Sequence, residues 1–295
     1  MLFYFKKLNI IMKTYILYLG ISPLISYGSN IEDVIEIYKE DGICAQRFII
    51  SLEQDGPKNV PLLMLRIDPS TNFISLKHAL NQEDWKTAQE WSLEAKCVPT
   101  FGAISIAKFS AEGNSIGYMK ADDGHILNSN SKDSWGGILA LNPYDEKDKQ
   151  VQIFHLEIST LAEIERRYKT VIQLERLLNQ KCEPINWAYA TPHSIAAVGV
   201  DKNNHLVFIF SEIQVSAGHL AKMVSIPELN LLGALYAVGG ASAGIYANLN
   251  SQLISNQGLL TAPAKLNFIS SLLKYVSPNL LGKGSFPFAL CFESN

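Results

Sequence analysis

Apolar positions along the chain recur mostly with the period of strands, in short β-branched or aromatic runs separated by polar turns. The clearest hairpin joins Ile195 to Val200 with His205 to Phe210 across the polar turn Asp201-Lys202-Asn203-Asn204. The other predicted strands are Cys44 to Leu52, Val60 to Ile67, Val98 to Phe109, Ser115 to Met119, His125 to Leu127, Val151 to Leu156, Thr170 to Leu174, Leu231 to Val238, Ala243 to Ala247 and Phe286 to Phe292.

Helical spacing or capping marks a smaller number of segments. Ser216 is a good N-cap for a helix that runs to about Val224 and is closed by Pro227. The other predicted helices are Ile31 to Lys39, Asp84 to Ala95, Leu161 to Arg167 and Phe268 to Tyr275. Strands and helices alternate without a repeat or an obvious linker, so the pattern predicts a single α+β domain in which mixed β-sheets are flanked by helices.

The N-terminal segment has the pattern of a secretory signal peptide. Lys13 precedes an apolar stretch of about a dozen residues, and small residues lead to a cut after Gly28. Translation starts at either Met1 or Met12. The apolar stretch is shorter than the ~20 residues that a membrane span needs. We therefore predict a signal peptide over residues 1–28 and an exported mature domain, 29–295, periplasmic or extracellular, without a stable membrane span.

The charge of the predicted mature chain limits its partners. Cleavage removes Lys6, Lys7 and Lys13 and no acid, which leaves 22 of the 25 basic residues against 28 acidic ones, a net charge of −6. No Lys/Arg-rich run offers a footprint for a phosphate backbone. Nucleic acid is therefore not an expected partner.

The cysteines and histidines do not form a recognisable metal motif. The six histidines are scattered, and no cysteine pair has C-x-x-C spacing, so neither a metal nor a cofactor is expected. An even number of cysteines in an exported chain permits two disulfides, although four buried thiols are the alternative. The four cysteines are Cys44, Cys97, Cys182 and Cys291.

One glycine-rich turn is the strongest candidate for a site. The apolar run LLGALYAVGGASAGIYAN breaks at Gly239-Gly240 and places a hydroxyl at Ser242. Paired glycines after a strand allow a sharp turn that presents backbone N–H groups to an anion. A plain turn between two strands is the alternative. The segment Gly240 to Gly244 also fits the G-x-S-x-G nucleophile elbow, but no histidine follows Ser242, which makes a serine esterase the weaker hypothesis.

Several blocks in sequence order resemble the phosphodiester glycosidase family, in its bacterial secreted branch, which is related to the enzyme that uncovers mannose 6-phosphate tags. The resemblance runs from about Asp41 to the end of the chain. The blocks are Leu65 to Pro69 (LRIDP), Ala103 to Phe109 (AISIAKF), Gly113 to Met119 (GNSIGYM), Val171 to Leu177 (VIQLERL), Ser194 to Asp201 (SIAAVGVD), Leu232 to Tyr236 (LGALY) and Gly239 to Ser242 (GGAS).

The resemblance implies a protein that acts on or binds a sugar 1-phosphodiester or a cell-envelope glycan. Backbone N–H groups from Gly239 to Ser242 would cradle the phosphate, with the Ser242 hydroxyl as a further donor. Arg176 would neutralise it, while Gln173 and Tyr118 would hold sugar hydroxyls. Each of these residues also has a structural alternative, as a turn, ion-pair or packing residue.

The departures from the family bear on catalysis. Val238 stands where the family carries an acid, Ser105 stands where it carries Asn, and His193 or Pro192 lies near the position of a basic residue. The candidate catalytic residues are Ser242, Ser105 and His193. Valine cannot take a proton, and loss of a general base costs ~10²–10⁴ in rate.

Two explanations of Val238 remain open. Another carboxylate substitutes, for which Asp122, Asp123 and Asp201 are the nearest by motif, or the chain is a non-catalytic carbohydrate-binding module on the same scaffold.

Overall fold

The fold is built almost entirely from antiparallel strands. The computed structural model describes residues 29–53, 56–79, 82–94, 98–188, 191–258 and 285–294. Of these residues, 51% are strand and 12% are helix. Every strand pair among them is antiparallel. The prediction of an α+β domain with mixed sheets is therefore wrong: the chain forms a β-rich sandwich.

The physical reason lies in the connections. Antiparallel neighbours need only a turn between them, whereas parallel neighbours need a crossover that usually contains a helix. The described α-helices are only five, seven and eight residues long. They are too few and too short to cover both faces of a parallel sheet.

The larger sheet has eleven strands. They are β1 (Ser29–Glu40), β2 (Ile43–Leu52), β3 (Val60–Ile67), β6 (Met119–Lys120), β7 (Ile126–Asn128), β8 (Gly137–Pro143), β9 (Val151–His155), β10 (Tyr168–Arg176), β11 (Ile195–Asp201), β12 (Leu206–Ser211) and β13 (Leu231–Gly239). Their order is β1-β2-β3-β12-β11-β13-β10-β6-β7, while β8 pairs with both β10 and β9. The predicted hairpin of β11 and β12 is confirmed.

The smaller sheet has five strands from distant parts of the chain. They are β4 (Asn72–His78), β5 (Thr100–Ser105), β14 (Gly244–Leu249), β15 (Gln252–Gln257) and β16 (Phe288–Ser294), in the order β15-β14-β5-β16-β4. The main core contains side chains of both sheets, including Phe208 from β12 and Phe292 from β16, whose ring centroids lie 5.9 Å apart. The sheets therefore pack face to face.

Three short α-helices and three 3₁₀ turns complete the described structure. The helices are α1 (Ala88–Ser92), α2 (Leu161–Arg167) and α3 (Ala217–Val224), and the 3₁₀ turns are Gln82–Asp84, Pro227–Leu229 and Gly240–Ser242. Ser216 caps α3 through the amide of His219, as predicted, and α3 packs against the face of the larger sheet that is turned away from the main core. The predicted helix Leu161 to Arg167 is also confirmed.

Two predicted helices differ from the structure. Ile31 to Lys39 is part of the edge strand β1, because its apolar residues are mostly β-branched and its backbone pairs with β2 over its length. Asp84 to Ala95 contains only the short helix Ala88–Ser92 after a 3₁₀ turn. The predicted helix Phe268 to Tyr275 and the predicted signal peptide, residues 1–28, lie outside the described residues.

The cysteines of the described region are free thiols: Cys44, Cys182 and Cys291. Cys97 lies outside that region. Burial raises the pKa of the Cys291 thiol, which is consistent with a packing role. Within the described ranges, no group of three or more metal-ligating side chains could hold a metal ion. No helix of that part of the chain has the length and apolar character of a bilayer span.

Candidate functional site

Strand β13 ends in an irregularity that turns its side chains. Ala196 of β11 pairs with Val238, but Ala197 pairs with Tyr236, so Ala237 is an extra residue in β13. Such a bulge changes the side to which the following residues point. A Cβ on Gly239 would lie 2.1 Å from the Tyr236 hydroxyl oxygen, so only glycine lets the backbone pass so close to this side chain.

The backbone of the glycine turn is partly engaged by its neighbours. Gly240 has φ of +73°, a conformation that favours glycine. Its amide donates to the carbonyl of Ser194 at 2.9 Å, and the Gln257 side chain donates to the carbonyl of Ala241 at 2.7 Å. The amides of Ala243 and Gly244 donate to the carbonyl of Gly240 and to Ser105 Oγ, so any anion cradle is confined to the amides of Ala241 and Ser242. Ser242 is half-buried in this turn.

His193 and Tyr236 form a neutral hydrogen-bonded pair beside Gly239. His193 Nδ1 lies 2.9 Å from the carbonyl oxygen of Thr191 and therefore carries the proton, so Nε2 accepts from the Tyr236 hydroxyl at 2.9 Å. Burial, with a smaller contribution from Lys108, lowers the pKa of His193. Burial raises the pKa of Tyr236, so the phenol keeps its proton. Nε2 of His193 is thus engaged with Tyr236 and not with Ser242.

A lysine–glutamate pair lies next to Tyr236, enclosed by aromatic rings. Lys108 Nζ donates to Glu175 Oε2 at 2.6 Å. The same ammonium lies 4.7 Å from the ring centroid of Tyr236, 5.5 Å from that of Trp135 and 5.9 Å from that of Trp187. Such cation–π contacts hold the ammonium in a defined place. The side chains of Lys108 and Glu175 are still 28% and 16% exposed, so a ligand can reach them.

We call this cluster the Lys108 site. It consists of Lys108, Trp135, Glu175, Trp187, His193, Tyr236 and Gly239. Lys108 lies in the block AISIAKF and Glu175 in the block VIQLERL. In each block, a charged residue at the end of an apolar run was the feature that the sequence offered. The two tryptophans come from separate loops, so their convergence on Lys108 depends on the fold and could not be read from local patterns.

Backbone strain immediately precedes Lys108. Ala107 is buried and has φ of +69°, in the left-handed region. A residue with a Cβ adopts this conformation at a cost of about 1–2 kcal/mol. Strand β5 ends at Ser105 and is therefore shorter than the predicted strand Val98 to Phe109. The turn at Ala107 leads directly into Lys108. Strain of this kind persists where the surrounding structure enforces it, often at functional sites.

Replacing Ala107 with glycine is expected to stabilise the protein by about 1 kcal/mol, because glycine adopts this conformation without the Cβ penalty. Denaturant unfolding measures the change. Ala103→Gly in β5 is the matched control and should destabilise, since it adds freedom to the unfolded chain without relieving strain. Equal losses in both variants would contradict the assignment of strain to Ala107.

Gln173 contacts protein groups with both ends of its amide. Nε2 donates to the carbonyls of Trp135 at 2.8 Å and Lys132 at 2.9 Å, and to Ser131 Oγ at 3.1 Å. Oε1 accepts from the amides of Lys132 at 2.8 Å and Tyr118 at 3.2 Å. The fully buried side chain thus fixes the loop that carries Trp135. Its predicted contact with sugar hydroxyls would require these bonds to be exchanged.

Two other predicted site hydroxyls are engaged inside the fold. Tyr118 is buried and donates its hydroxyl to Glu165, and burial together with this carboxylate raises the pKa of the phenol. Ser105 is buried between β5 and β14, where its Oγ accepts from the amide of Gly244 at 2.9 Å. Neither hydroxyl belongs to the Lys108 site.

Arg176 lies on the opposite face of β10 from Glu175, because successive side chains of a strand alternate. Its Nη2 donates to Glu157 at 2.8 Å, and the guanidinium packs against Gly136. The hydrogen bonds from Arg176 and from Gln180 lower the pKa of Glu157 to about 2. Arg176 is therefore separated from the Lys108 site by the sheet itself.

The three carboxylates selected by motif also have structural partners. Asp122 accepts from Thr170 and from the amide of Leu76, and Asp123 accepts from the amide of His125 in a hairpin turn.

Asp201 lies at the far end of β11 from His193. Its carboxylate accepts from the amides of Asn203 and His205, each at 2.9 Å, and from His205 Nδ1 at 3.0 Å. Arg66 Nε lies 3.6 Å away. These side chains line a cavity of about 560 Å³. Six residue steps along β11 separate this cavity from the glycine turn by about 20 Å.

Comparison with known proteins identifies the fold. No family model matches the chain, and no curated protein matches it by sequence. The catalytic domain of zebrafish N-acetylglucosamine-1-phosphodiester alpha-N-acetylglucosaminidase matches with a TM-score of 0.56 and 16% identity, over 94% of this chain and 85% of that one. A hypothetical protein from Synechocystis matches with a TM-score of 0.50 and 11% identity, over 90% of this chain and 64% of that one. The chain thus has a distant phosphodiester glycosidase-like fold.

Proposed function

We propose that this chain is an exported phosphodiester glycosidase-like protein whose Lys108 site binds a sugar 1-phosphodiester or a related glycan of the cell envelope. The observation that carries the proposal is the Lys108–Glu175 pair, enclosed by three aromatic rings and next to the glycine turn. The fold similarity to the catalytic domain of an N-acetylglucosamine-1-phosphodiester alpha-N-acetylglucosaminidase supports it.

The chemistry of the site suits such a ligand. A phosphodiester carries one negative charge, which the ammonium of the partly exposed Lys108 side chain would meet with a charge-assisted hydrogen bond. A sugar ring presents an apolar face to the half-buried Trp187 and hydroxyls to polar groups, an arrangement typical of small-molecule sites, while the buried Trp135 supports Lys108 from below. The amides of Ala241 and Ser242 and the Ser242 hydroxyl are candidate further donors within the glycine turn.

A non-catalytic carbohydrate-binding module on the same scaffold is the second candidate. It is favoured by Val238, which replaces the family acid with a hydrocarbon. Both candidates require binding at the Lys108 site, and they differ only in whether sugar is released from the phosphodiester.

Binding is tested with the methyl diester of N-acetylglucosamine 1-phosphate. We expect Lys108→Met to weaken binding about 10- to 100-fold, since a hydrogen bond to a charged group contributes about 1.5–3 kcal/mol. Calorimetry gives the affinity, and tryptophan fluorescence reports on Trp135 and Trp187. The matched control is Lys86→Met, because Lys86 also pairs with a glutamate, Glu94, and lies 4.6 Å from the ring centroid of Trp91.

Two outcomes would contradict the proposal. One is equal affinity of the Lys108 and Lys86 variants for the diester. The other is equal affinity of the unmodified protein for the diester and for N-acetylglucosamine without phosphate, because the ammonium would then contribute nothing.

A further inference from the structure

The position before the glycine pair cannot present a carboxylate to the Lys108 site. Val238 is 5% exposed, and its side chain packs in the main core between the two sheets. Tyr236 and Gly239, by contrast, face the site on the other side of the bulge. A base for this site must therefore come from another element.

We infer that Glu175 on β10 supplies this base, an inference that rests on the proposed function. Glu175 is in register with Tyr236 of the neighbouring strand β13, so both side chains lie on the same face of the sheet. The Tyr236 hydroxyl in turn lies against Gly239. Lys108 contacts both the carboxylate and the Tyr236 ring, which joins Glu175 to the glycine turn through direct contacts.

The His193 imidazole, which also lies beside the turn, already has a hydrogen-bond partner at each ring nitrogen. His193 donates through Nδ1 to the Thr191 carbonyl and accepts through Nε2 from the Tyr236 hydroxyl. Both ring nitrogens are therefore occupied. The Glu175 carboxylate contacts Lys108 through Oε2, and a carboxylate has about four lone-pair sites, so it can hold a water molecule as well.

One carboxylate is sufficient for the reaction that this site would perform. In ordinary glycoside cleavage a second carboxyl group protonates the leaving alcohol. Here the leaving group is a phosphate monoester, which departs as an anion without a proton. Lys108 remains available to balance its added negative charge.

Glu175 takes a proton from a water molecule while the water oxygen forms a bond to the anomeric carbon. The bond between that carbon and the phosphate oxygen breaks, and its electron pair stays on the phosphate. The products are the free sugar, the phosphate monoester and a protonated Glu175, which then releases its proton to solvent.

Release of reducing sugar from the methyl diester of N-acetylglucosamine 1-phosphate tests the role of Glu175. We expect Glu175→Gln to lower kcat by ~10²–10⁴ while affinity for the diester changes only a few-fold. Formate should restore part of the rate in Glu175→Ala, where the shortened side chain leaves room for it. Glu94→Gln is the control, because it removes the carboxylate of the second lysine–glutamate pair over an aromatic ring.

The possible failures are distinguishable. Absence of diester binding by the unmodified protein would overturn the proposed function itself. Binding without sugar release, or release at equal rates by the Glu175 and Glu94 variants, would overturn the role of Glu175 alone. If Glu175→Gln does not fold, Glu175→Asp keeps the charge while withdrawing the carboxylate by one methylene. A reduced kcat with normal thermal stability then supports the inference, and an unchanged kcat overturns it.

Discussion

Replacing Val238 with aspartate is expected to lower the free energy of unfolding by about 3–5 kcal/mol at pH 7, the cost of an uncompensated buried charge. Val238 is almost fully enclosed in the main core, where it packs among apolar side chains of both sheets. The substitution therefore inserts a carboxyl group among hydrocarbons instead of restoring a catalytic acid. Denaturant unfolding measures the loss.

The pH dependence of this variant gives a second readout. Burial raises the pKa of a carboxyl group above its unfolded value of about 3.9. As pH rises, the carboxyl group introduced at position 238 therefore loses its proton in the unfolded chain before it does so in the folded protein. The destabilisation caused by the substitution is smallest below a pH of about 3.9 and grows toward neutral pH. Val238→Asn is the control without a titrating group. The difference between the Asp and Asn variants should be smaller at pH 4 than at pH 7.

A stable Val238→Asp variant that gains hydrolysis would contradict this description. It would mean that position 238 faces the ligand, and the inference about Glu175 would lose its premise.

Asp201→Ala is expected to destabilise the protein by about 1–3 kcal/mol, because it removes the acceptor of two turn amides and the carboxylate beside the half-buried Arg66. Burial lowers the pKa of Arg66, and the charge of Asp201 opposes this effect. Asp201 is 2% exposed and also accepts from two backbone amides of the β11–β12 turn. Sugar release by the folded fraction should be unchanged.

The control for Asp201 is another turn aspartate. Asp123 also accepts a backbone amide two residues ahead, but in an exposed turn, so Asp123→Ala should cost less than about 1 kcal/mol. Adding Arg66→Met to Asp201→Ala should recover part of the loss, since the unpaired charge is removed. Loss of sugar release in a stable Asp201 variant would instead assign Asp201 to the site.

Local elements were predictable where one short segment determines them. The N-cap Ser216, the helix Leu161 to Arg167 and the hairpin of β11 and β12 follow from capping and turn chemistry that act within a few residues. The sheet order was not predictable, because β5 pairs with β14 and β16, more than a hundred residues later in the chain. The fold class was misjudged for this reason: helices were identified, but strand pairing decides whether sheets are mixed or antiparallel.

The candidate site could be predicted only in part. Gly239, Gly240 and His193 were selected from sequence, and Gly239 and His193 lie against Tyr236. The sequence pointed to Arg176 as a phosphate-binding residue and not to its neighbour Glu175. The two side chains lie on opposite faces of β10, because successive side chains of a strand alternate. Which face carries the site depends on Lys108, Trp135 and Trp187, and these meet only in the folded chain.

The central claim is that a sugar 1-phosphodiester binds at the Lys108 site. A crystal structure of the protein with the methyl diester of N-acetylglucosamine 1-phosphate tests it most directly. We expect the phosphate within hydrogen-bond distance of Lys108 Nζ and the sugar ring against Trp187. Ligand density in the cavity of Arg66 and Asp201 instead, with the Lys108 site unchanged, would contradict the claim.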